Sequence, residues 1–227
     1  MKHRTGFLAL GKIKGGTGAT ALAVTIATRA HRLHVAASGQ YPPVAVLDAD
    51  PQATAARWLD RIGEGVPVVH VEPGDDPRGA TIAAARRALA LAPFVVADCP
   101  PSALDVLRVL LGACDMAVIP TGPSIEDIYL ARKVLEIAAD ESALLRRSIP
   151  AVIVPAGFDT QTRIARDALE LLRSMDCPIG PVVARRVAWQ EAVSDGRSIL
   201  DSSNADAARE AQAASDFVLD QFHQDAP

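Results

Sequence analysis

A glycine-rich segment near the start of the chain carries the residues best suited to phosphate chemistry. It reads KIKGGTGAT and spans residues 12–20. Gly15, Gly16 and Gly18 allow a tight turn that brings backbone N–H groups against phosphate oxygens, and a following helix would direct its free N–H donors to the same place. Thr20, as the first helical hydroxyl, is suited to bind a Mg²⁺ that bridges phosphates. The segment therefore predicts a phosphate-binding loop.

Three aspartates lie where predicted strands end. Asp98 follows the apolar run FVVA, and we expect it to face the loop across one strand gap, where it can hold a metal-bound water. Asp48 and Asp50 alternate along the end of a second run, so they point in different directions. One can face the metal and the other a water near the terminal phosphate, because carboxylates accept hydrogen bonds from water and balance the charge of the ion.

Short apolar runs alternate with helical patterns along the chain. Strands are predicted at 6–10, 43–50, 66–72, 94–100, 115–121, 151–156 and 180–186, helices at 19–30, 52–62, 78–92, 125–147 and 163–175, and a surface loop at 31–43. Strands with little alternation, each followed by a helix, indicate a parallel sheet covered on both faces. The sequence thus predicts one α/β domain over 1–227, with a doubly wound, mainly parallel sheet of about seven or eight strands. Ligands of such sheets bind at the carboxyl ends of the strands.

Composition narrows the class of protein. The 227 residues suit a single α/β domain with a core of Ala, Val, Leu and Ile, since 49% are hydrophobic and 4% aromatic. The net charge of -4 predicts no global attraction to nucleic acid or acidic lipid, so any basic patch must be local. The N-terminus lacks a signal-peptide pattern and no apolar run reaches membrane-spanning length. Cys99, Cys114 and Cys177 lack zinc or redox spacing, which favours buried thiols in a cytoplasmic protein.

The motifs together resemble a known family. KGGTGAT, with VLDADPQ, VVADCPPS and PTGPSIEDI, resembles the ParA/MinD group of deviant Walker-type P-loop ATPases, and more closely the ParA branch of plasmid and chromosome partition ATPases. The stretch PVVARRVAWQEAVSDGRSI at 181–199 is similar to the C-terminal pattern of that branch. The resemblance spans about residues 5–222; the loop with DADPQ is its specific part.

The resemblance implies roles for individual residues. Lys14 matches the signature lysine that crosses an ATP-sandwiched dimer interface to touch the partner's nucleotide, and Asp50 matches the aspartate that positions the attacking water. Asp48 and Asp98 match acidic positions near Mg²⁺, and Thr20 matches the metal-binding hydroxyl. The nucleotide-binding set implied is Lys14, Gly15, Gly16, Thr17, Gly18, Ala19, Thr20 and Arg185.

The resemblance also implies cofactors and partners. The cofactors are ATP or ADP with Mg²⁺, and the ATP-bound form is a homodimer. That dimer binds DNA without sequence preference, which would place it on the nucleoid. A ParB-like or small basic centromere-binding protein stimulates hydrolysis and releases it.

One residue departs from the family pattern. The family has a lysine where this chain has Ala19, and loss of a charge-assisted phosphate contact costs about 1.5–3 kcal/mol. Lys14 is not expected to substitute, because its family geometry serves the neighbouring subunit; Lys12 is nearby, but the sequence does not give its direction. We therefore predict a phosphate cradle with impaired hydrolysis. Two explanations stay open: an engineered lysine-to-alanine change, or a natural nucleotide-dead or weakly binding relative.

Arginines near the C-terminus are candidates for binding DNA. Arg186 and Arg197 are predicted to contact DNA phosphates, and Arg185 either DNA or the nucleotide pocket, although 200–209 is poor in basic residues. The acidic tail 206–227 has core-helix spacing, which argues against membrane attachment. Motifs of an iron–sulfur reductase are missing around Cys99 and Cys114. The alternative function is a non-catalytic nucleotide- or DNA-binding adaptor on the same fold.

Overall fold

A computed structural model describes residues 6–37, 42–72 and 74–224. Its strands are β1 (Gly6–Leu10), β2 (Val44–Asp48), β3 (Val68–His70), β4 (Phe94–Asp98), β5 (Met116–Thr121), β6 (Ala151–Phe158) and β7 (Val183–Ala184). Its α-helices are α1 (Ala19–Ala36), α2 (Thr54–Ile62), α3 (Pro77–Leu91), α4 (Leu104–Ala113), α5 (Ile125–Leu145), α6 (Arg163–Arg173), α7 (Ala188–Asp195) and α8 (Ala205–Gln224). A single 3₁₀ turn, Ile199–Asp201, precedes α8.

The strands form one seven-stranded sheet in the order β3-β2-β4-β1-β5-β6-β7. Every strand pairing in it is parallel. The predicted doubly wound α/β sheet is therefore confirmed. Because β1 lies between β4 and β5, the loop after β1 and the end of β4 meet at the same edge of the sheet.

The core has two halves, one on each face of the sheet. Alternate residues of β1 show the division: Phe7 and Ala9 pack toward α3, α4, α5 and α6, and Leu8 and Leu10 pack toward α1, α2, α7 and α8. Burial on both faces explains why the strands read as continuous apolar runs rather than as alternating ones. The small side chains of the core let the helices approach the sheet closely.

The predicted elements differ most from the structure at α1, α4 and β7. Helix α1 continues to Ala36, through the first part of the segment predicted as a loop, because Leu33 there still packs against the core; residues 38–41 of that segment lie outside the described residues. Helix α4 was not predicted, although Val106, Leu107, Leu110 and Leu111 bury one face of it. The final strand is only two residues long.

The last helix belongs to the core. Val218 and Phe222 of α8 are fully buried, and the Phe222 ring lies 5.2 Å from that of Phe94. The core-helix spacing predicted for this segment is therefore confirmed, while Asp225 of the acidic tail lies outside the described residues. Across 6–37, 42–72 and 74–224, none of the helices combines the length and apolarity that a membrane crossing needs.

Candidate functional site

The glycine-rich loop connects β1 to the N-terminus of α1. Gly16 and Gly18 have φ angles of 85° and 79°, which glycine adopts without the steric penalty that a Cβ imposes. Gly18 is the N-cap of α1, and no side chain caps the helix there. The first N–H groups of α1 therefore remain available to an anion, and the positive end of the helix dipole lies at the same point.

Thr20 joins this helix start to the end of β4. Its Oγ1 donates a 2.6 Å hydrogen bond to Asp98 Oδ2. Asp98 is opposite Leu10 in the β1–β4 pairing and is fully buried. Burial raises the pKa of Asp98 above its ordinary value, against the opposing effect of Lys12 and of the Thr20 hydrogen bond. The expectation that Asp98 faces the loop across one strand gap is confirmed.

Lys12 also reaches this point, from the end of β1. Its Nζ lies 3.0 Å from Asp98 Oδ1 and donates to Thr20 Oγ1 at 3.1 Å. Only 7% of the residue is exposed. A lysine is rarely buried without a partner, and the structure supplies Asp98 as that partner. The structure therefore gives the direction of Lys12 that the sequence left open.

The aspartates after β2 do point in different directions. The Asp48 carboxylate is fully buried and accepts hydrogen bonds from the backbone N–H groups of Asp50 and Ala56, at 3.1 and 2.9 Å. Asp50 is half-buried and accepts from the N–H of Gln52 at 2.9 Å. Asp48 thus fixes the turn from β2 into α2, and Asp50 lies closer to solvent. The metal role of Asp48 and the water-positioning role of Asp50 stay predictions.

Lys14 lies on the outer side of the loop. Its Nζ is 3.0 Å from Glu126 Oε2 and 3.4 Å from Asp127 Oδ1, and 43% of its side chain is exposed. The hydrogen bond that Lys14 donates to Glu126 leads the effects that raise the pKa of Lys14, so Lys14 is a cation at neutral pH. The two lysines of KIK therefore have separate places, Lys12 in the interior and Lys14 at the surface.

The three arginines predicted from the C-terminal motif have different surroundings. Arg185 is exposed and lines a cavity of about 180 Å³ together with Gly16, Thr17 and Gly18. Arg186 donates two hydrogen bonds to the carboxylate of Glu210, at 2.6 and 3.2 Å. Arg197 is exposed, and its backbone carbonyl accepts from Trp58. Arg185 therefore faces the loop, while the charge of Arg186 is largely balanced within the chain.

A metal at this site would have few protein ligands. Among the described residues, no group of three or more His, Cys, Asp and Glu side chains is arranged to hold a metal ion. Mg²⁺ in nucleotide sites is usually held by one or two carboxylates together with the phosphates and water. The pair of Thr20 and Asp98 fits that pattern.

The cysteines lie apart from any reactive arrangement. Cys99 and Cys114 are buried and Cys177 is half-buried, and all three are free thiols. Burial raises the pKa of Cys114 to about 12 and that of Cys177 to about 11. The expectation of buried thiols holds for Cys99 and Cys114, and Cys177 is only partly covered.

Two features of the site were not predicted from the sequence. Ser102 adopts a φ of 59°, and both its N–H and its hydroxyl donate to the Ile13 carbonyl, at 2.8 and 3.2 Å. This contact fixes the backbone between Lys12 and Lys14. Glu210 balances Arg186 from 24 residues away, and no sequence signal indicates which acidic side chain of α8 would do so.

Comparison with known proteins finds a protein similar in sequence over most of the chain. It is 26% identical over 199 residues to the maintenance of carboxysome distribution protein A of Halothiobacillus neapolitanus, covering 85% of this chain and 86% of that protein. No family model matches the chain.

Two solved structures share the fold. A candidate plasmid partition protein of Borrelia burgdorferi B31 bound to AMPPNP aligns with a TM-score of 0.70 at 14% identity, over 96% of this chain and 100% of that one. The septum site-determining protein MinD of Pyrococcus horikoshii, complexed with Mg-ADP, aligns with a TM-score of 0.70 at 13% identity, over 95% and 96%. These two structures confirm the predicted fold. Together with the 26% identical carboxysome distribution protein, they confirm the resemblance to the ParA/MinD ATPases.

Proposed function

We propose that this chain is a ParA/MinD-type ATPase that uses a bound nucleotide to distribute or partition a cargo. The observation that carries the proposal is the meeting of three features at one edge of the sheet. These are the Gly15–Gly18 loop, the uncapped start of α1 and the Thr20–Asp98 pair. Backbone N–H groups and the helix dipole suit the phosphates of ATP or ADP.

The cofactor in this proposal is Mg²⁺ with ATP or ADP. Bound Mg²⁺ would supply positive charge that offsets the negative charge developing on the phosphates during transfer. Thr20 and Asp98 would hold it, because their oxygens lie together at the start of α1. Asp48 would act on the metal site indirectly, by fixing the turn between β2 and α2. The relative bound to Mg-ADP supports this choice of cofactor.

Thr20 provides a direct test of nucleotide binding. We expect Thr20→Val to weaken the binding of Mg-ATP at least tenfold, measured by isothermal titration calorimetry. The matched control is Thr28→Val in the same helix, because the Thr28 hydroxyl is buried and has no hydrogen-bond partner among the described residues. A wild-type protein that binds neither ATP nor ADP would contradict the proposal.

Hydrolysis is expected to be slow. Ala19 leaves the loop without the family's lysine, so less positive charge is available where charge develops in the transition state. Steady-state phosphate release should rise in Ala19→Lys. Equal rates of phosphate release in the wild type and in Ala19→Lys would show that Ala19 is not the cause of slow hydrolysis. An Ala19→Lys protein that binds ATP without turnover would favour the adaptor function instead.

The proposed working form is an ATP-bound dimer in which Lys14 reaches the partner's nucleotide. Its exposure next to the loop supports this role. The named relatives suggest two kinds of cargo, a carboxysome-like assembly and a plasmid. We also propose that this dimer binds DNA without sequence preference, which would place it on the nucleoid. A ParB-like or small basic protein would stimulate its hydrolysis. Light scattering with and without Mg-ATP tests the dimer, and Lys14→Ala should abolish the effect of ATP.

A further inference from the structure

The chain places a buried lysine beside the position where the loop lacks one. Lys12 follows β1 by two residues, and the N–H of Gly11 continues the pairing with β5 by donating to the Val118 carbonyl at 2.9 Å. A Cβ at Gly11 would lie 2.8 Å from Val134 Cγ1, so the backbone runs close against α5 at this point. The chain before Lys12 is therefore fixed by pairing and by packing.

The chain after Lys12 is fixed as well. The carbonyl of Ile13 accepts both the N–H and the hydroxyl of Ser102, and Ile13 packs against the core. Between these two anchored positions the Lys12 side chain turns inward and places its ammonium against Thr20 Oγ1 and Asp98 Oδ1. Thr20 directly follows Ala19. The Lys12 ammonium therefore lies at the start of α1, next to the position where the family has a lysine.

Lys12 also lines a second cavity beside the loop, separate from the one that Arg185 lines. This second cavity has a volume of about 310 Å³, and the loop and helix residues from Gly16 to Ala21 line it together with Lys12, opposite Trp58 and Val193. The N–H groups that would receive phosphate border the same space. A purely structural ion pair gains little over apolar packing of the same volume, because desolvating two charges is expensive. Here the pair lies at the edge of a cavity suited to anions.

We propose that Lys12 is the phosphate-binding lysine of this chain, acting in cis from the end of β1 to hold the bound nucleotide, whereas the transition-state contact of the family's lysine stays missing at Ala19. The proposal rests on the proposed nucleotide function and concerns nucleoside di- and triphosphates. Lysine suits the role because its ammonium is a point charge on a flexible four-carbon stem. Asp98 and Thr20 hold that charge at the loop, where the Lys12 ammonium would contact a bound phosphate and Asp98 would be free to hold Mg²⁺.

The test compares Lys12→Met with the wild type. The substitution keeps an unbranched apolar side chain of nearly the same length and removes the ammonium group. We expect the Kd for ATP and ADP to rise about 10- to 100-fold, as for loss of one charge-assisted hydrogen bond. The Kd for adenosine should not change. The matched control is Lys133→Met on α5, where an exposed lysine pairs with Glu136, and its affinity for ATP should equal that of the wild type.

A second pair of variants separates phosphate binding from simple neutralisation of Asp98. In an Asp98→Asn background no carboxylate at that position is left to repel phosphate, so Lys12→Met should still weaken ATP binding relative to Asp98→Asn alone. Adding Ala19→Lys to Lys12→Met should restore the affinity to within about threefold of wild type. Thermal unfolding of each variant checks that it folds. If Lys12→Met alone does not fold, the comparison in the Asp98→Asn background decides, because that background leaves no buried carboxylate without a partner.

The outcomes distinguish the two proposals. If the wild type and Lys12→Met bind ATP equally, the role of Lys12 is overturned and the nucleotide function stands. If the loss disappears in the Asp98→Asn background, Lys12 only neutralises Asp98 and the proposal is likewise overturned. A wild type that binds no ATP overturns both.

Discussion

At the scale of the residue, the glycines of the loop are not equivalent. Gly16 and Gly18 have positive φ angles, whereas Gly15 lies outside that region and has open space around the position of a Cβ. A sequence pattern of three glycines cannot reveal this difference, because it depends on the turn that the loop adopts. Only two of the three are required by backbone conformation.

We expect Gly18→Ala to lower the free energy of unfolding by about 1–2 kcal/mol, since a Cβ in the left-handed region is strained. The nearest atom to that Cβ would be Ala156 Cβ at 3.5 Å, an ordinary contact, so the strain comes from the backbone. Gly15→Ala is the control and should change the value by less than about 0.5 kcal/mol. Urea unfolding measures both, and equal losses would contradict this assignment.

The positions of the loop residues could be predicted from the sequence, but the direction of the Lys12 side chain could not. The loop, Thr20 and Asp98 could be found because their types and spacing follow from phosphate and metal chemistry. The direction of Lys12 could not, because it is set by Ser102, which contacts Ile13 from 89 residues away. Long-range contacts of this kind have no local signal in the sequence.

At the scale of the element, the strands were predictable and several helix ends were not. Buried parallel strands such as β4 read as uninterrupted apolar runs. The last third of α1, residues 31–36, reads as a loop because its polar residues hide the partly buried Leu33. Helix α2 begins after a turn in which Ala53 has φ 48° and ψ 38°, a conformation that nothing in DADPQA indicates.

That turn gives a prediction for α2. Ala53→Gly should raise the free energy of unfolding by about 0.5–1 kcal/mol, because relief of left-handed strain exceeds the added entropy of the unfolded chain. The same change at Ala56, inside the helix, should lower it by about 1 kcal/mol. Thermal or urea unfolding distinguishes opposite signs, and destabilisation by both changes would contradict the strain at Ala53.

At the scale of the whole molecule, the net charge of -4 means that the proposed DNA binding would depend on local basic patches. Glu210 and Asp206 lie 2.6 and 3.8 Å from the Arg186 guanidinium, so little of its charge is free to attract phosphates. Arg197 is exposed on the same C-terminal part of the chain. From the sequence, Arg186 and Arg197 have the same predicted role, because the sequence does not show that Arg186 pairs with Glu210.

We therefore expect the two arginines to differ in DNA binding. In the presence of Mg-ATP, Arg197→Ala should weaken binding equally on unrelated duplexes and reduce the salt slope by about one. Arg186→Ala is the matched comparison and should have a smaller effect. Fluorescence anisotropy at several salt concentrations measures both. A larger loss for Arg186→Ala would show that DNA displaces Glu210.

The same ion pair gives a pH dependence of stability. Burial alone would raise the pKa of Glu210, but hydrogen bonds from Arg186 and from the Ala184 N–H lower it below the ordinary value of 4.5. A depressed folded-state pKa stabilises the fold above pH 4.5, and the effect is lost as pH falls through the folded value. Glu210→Gln should thus be less stable than wild type at pH 7, and the difference should shrink below pH 4.5. Urea unfolding across that range checks it, and a constant difference would rule out the ion pair as its cause.

The contact of Lys14 with Glu126 and Asp127 has a consequence for assembly. If Lys14 serves a second subunit, these two carboxylates of its own chain compete with the partner's phosphate for the same ammonium. They act as an internal inhibitor of pairing, and the protein concentration at which dimers form must exceed what the interface alone would require. Glu126→Gln should lower that threshold with Mg-ATP present, and without ATP it should change nothing. The acidic start of α5 would then set how crowded the molecules must be before they associate.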